Sequence, residues 1–460
     1  MFLLADRAAS QMEQDFLTVH EPEQASFDSL NAGRISSAAP WSLGAVIALF
    51  VFGYFWIGLE PFATPGAERA ATAGGDFLNQ TVVILMFTVA VATVARDENR
   101  SALFLPHGLL LLILCWFSLV SMFAVDPATA FRRIAYAVLV CGCASAAILL
   151  PRSREEFDKL LATAVILVLG LCYFAVFIVP SIGIHQSSEV EAALAGDWRG
   201  IFGHKNMTAA AMALAVMFGL YLRKTSYSKV GTVAAVLAMV FLLLTRGKTA
   251  TAMLPLVLSM VWIFERSKLS GMVILLGSII VLNVVLIGLP RFEGVRQLLD
   301  NAGIDITFTG RDAIWAYALD RIGDRPWTGY GFQSFWGSKI VSKTSTESWA
   351  YLAAHSHNSF LELLLGGGLL GCLLVVVWLI LLPIRDAGTA FESNNDMALT
   401  RLFLRIWIFC VLLGSLESVF FINSGPTWFS MLVAVFGLRL QASATLRSAD
   451  EADRNRTLTH

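Results

Sequence analysis

Long apolar runs broken by short polar turns dominate the chain from residue 42 onward. A helix needs about 20 apolar residues to cross the hydrocarbon core of a bilayer. Blocks of roughly that kind fall near 42–60, 78–95, 102–124, 134–150, 160–183, 207–222, 230–245, 249–265, 271–289, 359–383, 402–420 and 427–440. The pattern predicts an all-α polytopic membrane protein with about 12 transmembrane helices, because only helices and closed barrels satisfy their backbone inside lipid. Residues 1–40 are polar and rich in Ala, Ser, Glu and Gln, with an apolar start of only Phe2 to Ala5. That is short of the roughly 7 to 15 residues of a signal-peptide core, so the segment reads as a disordered cytoplasmic tail. Residues 41–289 then hold nine helices, 290–358 form one large loop, 359–440 hold three more helices, and 441–460 make a second tail.

The large loop has signals of its own. Thr309 and Asp312 read as a capping box, and Ile314, Trp315, Ala318, Leu319 and Ile322 recur at helical spacing. A helix is therefore predicted over 311–323, ended by Pro326 and the turn glycines Gly329 and Gly331.

Composition agrees with the pattern and removes alternatives. The chain is 57% hydrophobic and 15% charged, with a mean hydropathy of +0.68, against about 45–50% and about 25% for soluble domains. An ordinary soluble enzyme is excluded. With 33 basic against 34 acidic residues there is no basic excess to meet a nucleic acid. The six cysteines, Cys115, Cys141, Cys143, Cys172, Cys372 and Cys410, all lie in apolar blocks, with no Cys/His spacing suited to a metal. No metal is expected at the cysteines.

Charge changes the picture more than composition does. With the N-terminus inside, seventeen Lys and Arg fall in inner segments and seven in short outer loops, so both termini are predicted to be cytoplasmic. The outer seven are Arg69, Arg132, Arg133, Arg199, Lys205, Arg246 and Lys248. Several belong to recognisable clusters. RGIFGHKN, residues 199–206, places Arg199, His204, Lys205 and Asn206 before a span, with two glycines that would let the backbone approach an anion. A basic juxtamembrane flank is the plain alternative. TRGKT, residues 245–249, sets Arg246 and Lys248 in a tight hairpin, where snorkelling span ends would look the same.

TGRDAIW, residues 309–315, puts Arg311 in a first helical turn, where the macrodipole disfavours a cation unless an anion binds there. A local ion pair with Asp312 or Asp320 is the alternative. AHSHNSFLELLLGGGLLG, residues 354–371, brings His355, His357 and Asn358 to a span start, with Glu362 one turn on. A histidine there suits proton transfer, and it also suits a helix cap. Gly367 and Gly371 have the spacing of close helix packing. Glu417 lies in an apolar block near its outer end, a functional position by default, with a structural ion pair as the alternative. Together these residues call for an anionic ligand at the outer headgroup level, such as a lipid-linked diphosphate.

RGIFGHKN, TRGKT, TGRDAIWAYALDRIGDRPWTGYGFQSFW and HSHNSFLELLLGGGLLG, in this order around one outer loop, resemble the O-antigen ligase and Wzy-type polymerase family, nearest the exopolysaccharide polymerases of the ExoQ type. The resemblance covers about residues 195–440. It implies a GT-C-like glycosyltransferase of the bacterial inner membrane, whose large loop is periplasmic and which needs neither metal nor nucleotide sugar. Such an enzyme moves a glycan from undecaprenyl diphosphate to an acceptor sugar with inversion. On this basis Arg199, Arg246 and Arg311 hold the diphosphate, with Lys205 beside them and Lys248 competing with Arg246. His357 is the catalytic histidine, with Glu362 or Glu417 as its partner. The partners implied are the lipid-linked donor, a glycan acceptor, the bilayer, a flippase and a chain-length regulator. Trp315, Trp327, Tyr330, Phe332 and Trp336 would offer stacking surface to sugars or pack a small loop domain.

Polymerisation of lipid-linked repeats is the expected activity. Ligation of finished glycan to lipid A core or protein uses the same donor chemistry. A polysaccharide or lipid transporter, or a non-catalytic partner of a synthase complex, would place its ionisable groups differently or leave them dispensable.

Overall fold

The computed structural model describes residues 41–63, 77–189, 191–288, 292, 294, 311–338, 340–341, 353–393, 396–422 and 425–443. Among these residues the regular secondary structure is helical apart from one isolated antiparallel bridge, Ile184 to Trp198. The helices are α1 (Leu43–Ile57), α2 (Phe77–Ala95), α3 (His107–Ser121), α4 (Pro127–Leu149), α5 (Arg154–Ile178), α6 (Lys205–Leu222), α7 (Ser228–Leu244), α8 (Lys248–Arg266), α9 (Lys268–Asn283), α10 (Arg311–Asp324), α11 (Ser359–Val376), α12 (Leu382–Ser393), α13 (Met397–Leu413) and α14 (Pro426–Ala442). A π turn, Val377–Leu381, joins α11 to α12. Every apolar block of the sequence overlaps one of these helices. The tail expectations for 1–40 and 444–460, and Thr309 of the expected capping box, lie outside the described residues.

Among the described residues, six helical stretches are long and apolar enough to cross a membrane: α2, α4, α5, α6, α8 and α11 running on into α12. Shorter apolar helices accompany them at α1, α3, α7 and α9. The protein is therefore an all-helical, polytopic membrane protein. Its centre is made by α6, α13 and α14, which are buried on nearly every face. Peripheral helices keep apolar residues outward, as α2 does with Ile84 and Leu85 and α7 with Val233 and Val236. Such surface is what lipid would cover.

One break in a helix positions the site. Gly368 of α11 has φ 63 and ψ −166, which no L-residue adopts readily. A Cβ there would stand 2.2 Å from the backbone of Trp327. The break frees the carbonyl of Leu365 to accept from the Tyr330 amide at 2.7 Å, while the Leu369 amide donates to Pro326 O at 2.8 Å. Residues 326–331 thus lie along α11 well past its first turn, and the Phe332 amide reaches Ser121 Oγ of α3 at 3.0 Å. Gly367 and Gly371 face Phe117 and Trp116 of α3, and the Trp116 indole donates to Gly367 O at 2.9 Å. The close-packing reading of that glycine pair holds.

Candidate functional site

The site is assembled by α10, the start of α11 and the turn after α13. Helix α10 begins at Arg311, as the sequence predicts, and packs its Ile314, Trp315 and Ala318 face inward. Trp315, Ala318, Tyr330, Phe335, Leu361 and Leu365 form one buried cluster that fixes α10 against α11. Arg311 and Trp315 are four apart and share a helical face. They do complementary jobs there. Arg311 donates to the Leu416 carbonyl and pairs with Glu417 Oε1 at 2.7 Å. The Trp315 indole donates to Ser356 O at 2.9 Å.

Residues 355–359 carry the histidines. His357 has φ 54, a left-handed conformation that costs a non-glycine residue about 1–3 kcal/mol and persists only where its neighbours enforce it. They do so from both sides. Ser356 is held at its amide by Glu362, at its carbonyl by Trp315, and through Oγ by the carbonyl of Asn358. Asn358 caps α11 by accepting from the amides of Phe360 and Leu361. Its Nδ2 donates to Asn283 Oδ1 and Ser415 O, both at 2.8 Å. Ser359 completes the clamp: its amide donates to Gly414 O, and its hydroxyl donates to Glu417 O while accepting from the amides of Val419 and Phe420. The His-Asn-Ser run therefore aims one side chain and uses the next two to hold the turn that bears Glu417.

Glu417 is the hub. Besides Arg311 it meets His357 Nδ1 at 3.0 Å through Oε2, and Asn206 Nδ2 at 3.4 Å through Oε1. Burial works against its ionisation, yet the His357 hydrogen bond and the Arg311 charge prevail and hold its carboxyl down at about 2. The expected span over 402–420 is corrected here: α13 stops at Leu413, and Glu417 sits in the following turn. With Nδ1 facing the carboxylate, His357 keeps Nε2 for another partner, and its side chain is 31% exposed. His355 lies edge-on, with ring centroids 4.2 Å apart. Burial and His357 together push His355 down to about 4.

A second group adjoins through Asn206. Lys205 Nζ pairs with Asp197 Oδ2 at 2.6 Å, and Arg246 pairs with Asp197 Oδ1 at 3.1 Å while remaining 73% exposed. Asp197, which sequence reading passed over, is what brings the two clusters together. Lys248 stands exposed in the first turn of α8.

Two expected site residues are placed otherwise. Arg199 is 1% exposed, with its guanidinium spent on Ile182 O, Ser181 O and Glu189. It braces the 181–199 loop rather than facing a ligand, and Gly200 serves close packing on Cys172 rather than approach to an anion. Glu189 is shared with His185 Nδ1 at 2.8 Å. Glu362 accepts from the Ser356 amide and from Trp336 Nε1 at 2.8 Å, so it holds the histidine loop and leaves Glu417 as the carboxylate on His357. Of the loop aromatics, Trp315, Tyr330 and Phe332 are core, while Trp327 is 67% exposed.

Among the described residues no cluster of His, Cys, Asp and Glu is arranged to hold a metal. The arrangement can do two things: bind an anion among Arg311, Lys205 and Arg246, and accept a proton at His357 beside it.

Comparison with known proteins covers part of this site. Residues 231–376 match the O-antigen ligase family, Wzy_C. That stretch contains Arg246, Lys248, Arg311, His357 and Glu362, whereas Arg199, Lys205 and Glu417 fall outside it. A 91-residue segment is 29% identical to the exopolysaccharide production protein ExoQ of Rhizobium meliloti (strain 1021), covering 19% of this chain and 21% of that protein.

Proposed function

We propose that this chain, an integral membrane protein with an O-antigen ligase domain and a distant kinship to ExoQ, is an inverting glycosyltransferase. It joins undecaprenyl-diphosphate-linked oligosaccharide repeats into an exopolysaccharide or O-antigen chain. The reaction takes place at the periplasmic face of the inner membrane, with about 12 helices in a GT-C-like arrangement and both termini cytoplasmic. The observation that carries the reading is Glu417 held between Arg311 and His357, with Lys205 and Arg246 adjoining through Asn206.

In the proposed step, a hydroxyl of the acceptor sugar attacks the anomeric carbon of the donor from the face opposite the diphosphate. The new C–O bond forms as the bond to the phosphate oxygen breaks, and the hydroxyl proton passes to His357 Nε2. Glu417 keeps Nδ1 protonated and stabilises the imidazolium that results. Undecaprenyl diphosphate leaves as an anion, and Arg311, Lys205 and Arg246 meet its charge with fixed donors. The reading needs no metal or other cofactor. A flippase that delivers the lipid-linked repeat and a chain-length regulator are its natural partners.

A ligase acting on lipid A core or protein shares every donor-side feature. Reconstitution separates the two. Purified protein in liposomes, given lipid-linked repeat and no ion gradient, is expected to yield a ladder of longer lipid-linked glycans. Transfer only to added lipid A core would make it a ligase, and no transfer to either would turn the account toward a transporter or a synthase partner.

A further inference from the structure

Two cations that the sequence assigns to the same side as the site play no part in it so far. Arg132 and Arg133 lie in the first two turns of α4 and are exposed. Arg132 donates to Thr129 Oγ1 at 3.1 Å, and Arg133 donates to the main-chain carbonyl of Gln333. Neither forms an ion pair among the described residues. The neighbouring acids, Asp126 and Glu362, act on the two arginines only at longer range, and their close hydrogen bonds go elsewhere. Asp126 caps α4, taking the Thr129 amide at 3.1 Å and the Thr129 hydroxyl at 2.6 Å. Glu362 is bound to Ser356 and Trp336.

The pair is tied to the reacting centre. Gln333 donates through Nε2 to Phe421 O at 2.6 Å, in the turn that bears Glu417. Glu362 is within electrostatic reach of both Arg133 and His357. Arg132 and Arg133 thus approach the histidine loop by way of Gln333 and Glu362, whereas Lys205, Arg246 and Arg311 approach through Asp197 and Glu417. Beside the two arginines, Met122, Phe123 and Phe131 are exposed apolar surface. Arginines with no close ion pair among the described residues, next to exposed apolar side chains, suit a phosphate whose tail lies in the bilayer.

We infer that Arg132 and Arg133 form a second lipid-phosphate site, which holds the diphosphate of the acceptor. This rests on the glycosyltransferase reading and deepens it. Joining two lipid-linked repeats requires two diphosphate lipids at once, one leaving and one staying attached. The two groups of cations would hold one each, with His357 between them. A resident anionic phospholipid offers the same headgroup chemistry, so the test must separate the two sources.

The experiment uses the full chain in nanodiscs and the variant Arg132→Gln/Arg133→Gln, with unchanged elution on size exclusion as the control for folding. Undecaprenyl diphosphate alone is the binding probe. Two equivalents are expected to bind the wild type, one the Arg132/Arg133 variant, and one Arg311→Gln. In the transfer assay the variant's KM for the lipid-linked acceptor should rise about tenfold to a hundredfold, the loss of charge-assisted hydrogen bonds. Donor KM and turnover at saturating acceptor should not change. With an acceptor repeat that lacks the lipid diphosphate, variant and wild type should perform alike. Two bound equivalents in the variant, or an unchanged acceptor KM, would overturn the inference. So would loss of a co-purified anionic phospholipid with no kinetic change, since the arginines would then anchor bulk lipid. If the wild type binds two equivalents but transfers nothing, the glycosyltransferase reading fails while the second site stands.

Discussion

The two ends of the helix bundle use charge in opposite ways. At the end away from the histidines, Arg154 of α5 pairs with Asp396 before α13 and with Asp158. Glu265 of α8 grips Arg401 of α13 with both oxygens, Lys268 of α9 meets Glu392 of α12, and Asp386 of α12 meets Arg385 and Arg439. Five cations there meet five carboxylates, mostly between helices, and within these pairs the charges cancel. At the site end four permanent cations, Arg199, Lys205, Arg246 and Arg311, and three histidines, His185, His204 and His357, share the four carboxylates of Glu189, Glu191, Asp197 and Glu417. Lys248, Arg132 and Arg133 add positive charge beside them. Paired charges tie helices together at the first end, whereas at the site end carboxylates shared between partners fix cations in place, with Arg246 and Lys248 left exposed. The second arrangement is the one that can receive a phosphate.

Substitutions should reveal that difference, and the largest effect belongs to the site end. His357→Ala removes the proposed base and should lower glycan transfer by about 10² to 10⁴. Arg311→Ala, read in the same liposome assay, should cost about 10² to 10³ through lost stabilisation of the leaving diphosphate. Neither change should prevent membrane insertion.

At the opposite end the readout reverses. Arg439→Ala leaves the buried Asp386 with only the exposed Arg385, and removing one partner of a buried pair costs about 3–5 kcal/mol. Thermal unfolding should therefore drop while the transfer rate per folded molecule stays at the wild-type level. A rate loss beyond the loss of folded protein would show that this end is not purely structural.

Asn358→Ala tests the joint between folding and function. It unties the cap of α11 and the clamp on Ser415, leaving buried groups without partners at about 1–3 kcal/mol. Both stability and rate should fall, because the Glu417 turn loosens.

Acid should act on Glu417 within a defined window. Its folded pKa is about 2 against 4.5 for the free side chain. The stability it contributes is complete above the unfolded value and is lost as pH falls through the folded one. Melting curves across that range should show an acid-dependent loss in the wild type that Glu417→Gln lacks. The smallest effect is expected from Arg401→Ala, a partly exposed pair worth about 0–1 kcal/mol, with no change in transfer.

Much of this was legible in the sequence, and the failures have physical causes. Apolar blocks gave the helices because burial in lipid or protein needs continuous apolar surface whatever the packing. Arg311 and His357 stood out because a cation in a first helical turn and a histidine at a span start are both exceptions to local rules. Arg199 looked like their equal, since sequence shows that a cation is present and not which way it turns. Its partners, two main-chain carbonyls and Glu189, come from a loop that doubles back by contacts without periodicity. Asp197 escaped notice for the same reason. Glu362 was placed on the right helical turn, yet its engagement with Ser356 depends on residues 355–358 folding back over it. Glu417 stood out as a lone carboxylate in an apolar run, while the early end of α13 was hidden because Leu416, Val419 and Phe420 continue that run beyond the helix.

The central claim is that His357 and Glu417 work as one unit, and a double-mutant cycle on glycan transfer tests it most directly. Rates are measured in liposomes for the wild type, His357→Ala, Glu417→Gln and the double variant, each normalised to folded protein. The account predicts that the double variant is no slower than His357→Ala alone, because Glu417 acts on transfer through the histidine it orients. Losses that multiply independently, or a His357→Ala protein that keeps wild-type rate, would contradict it.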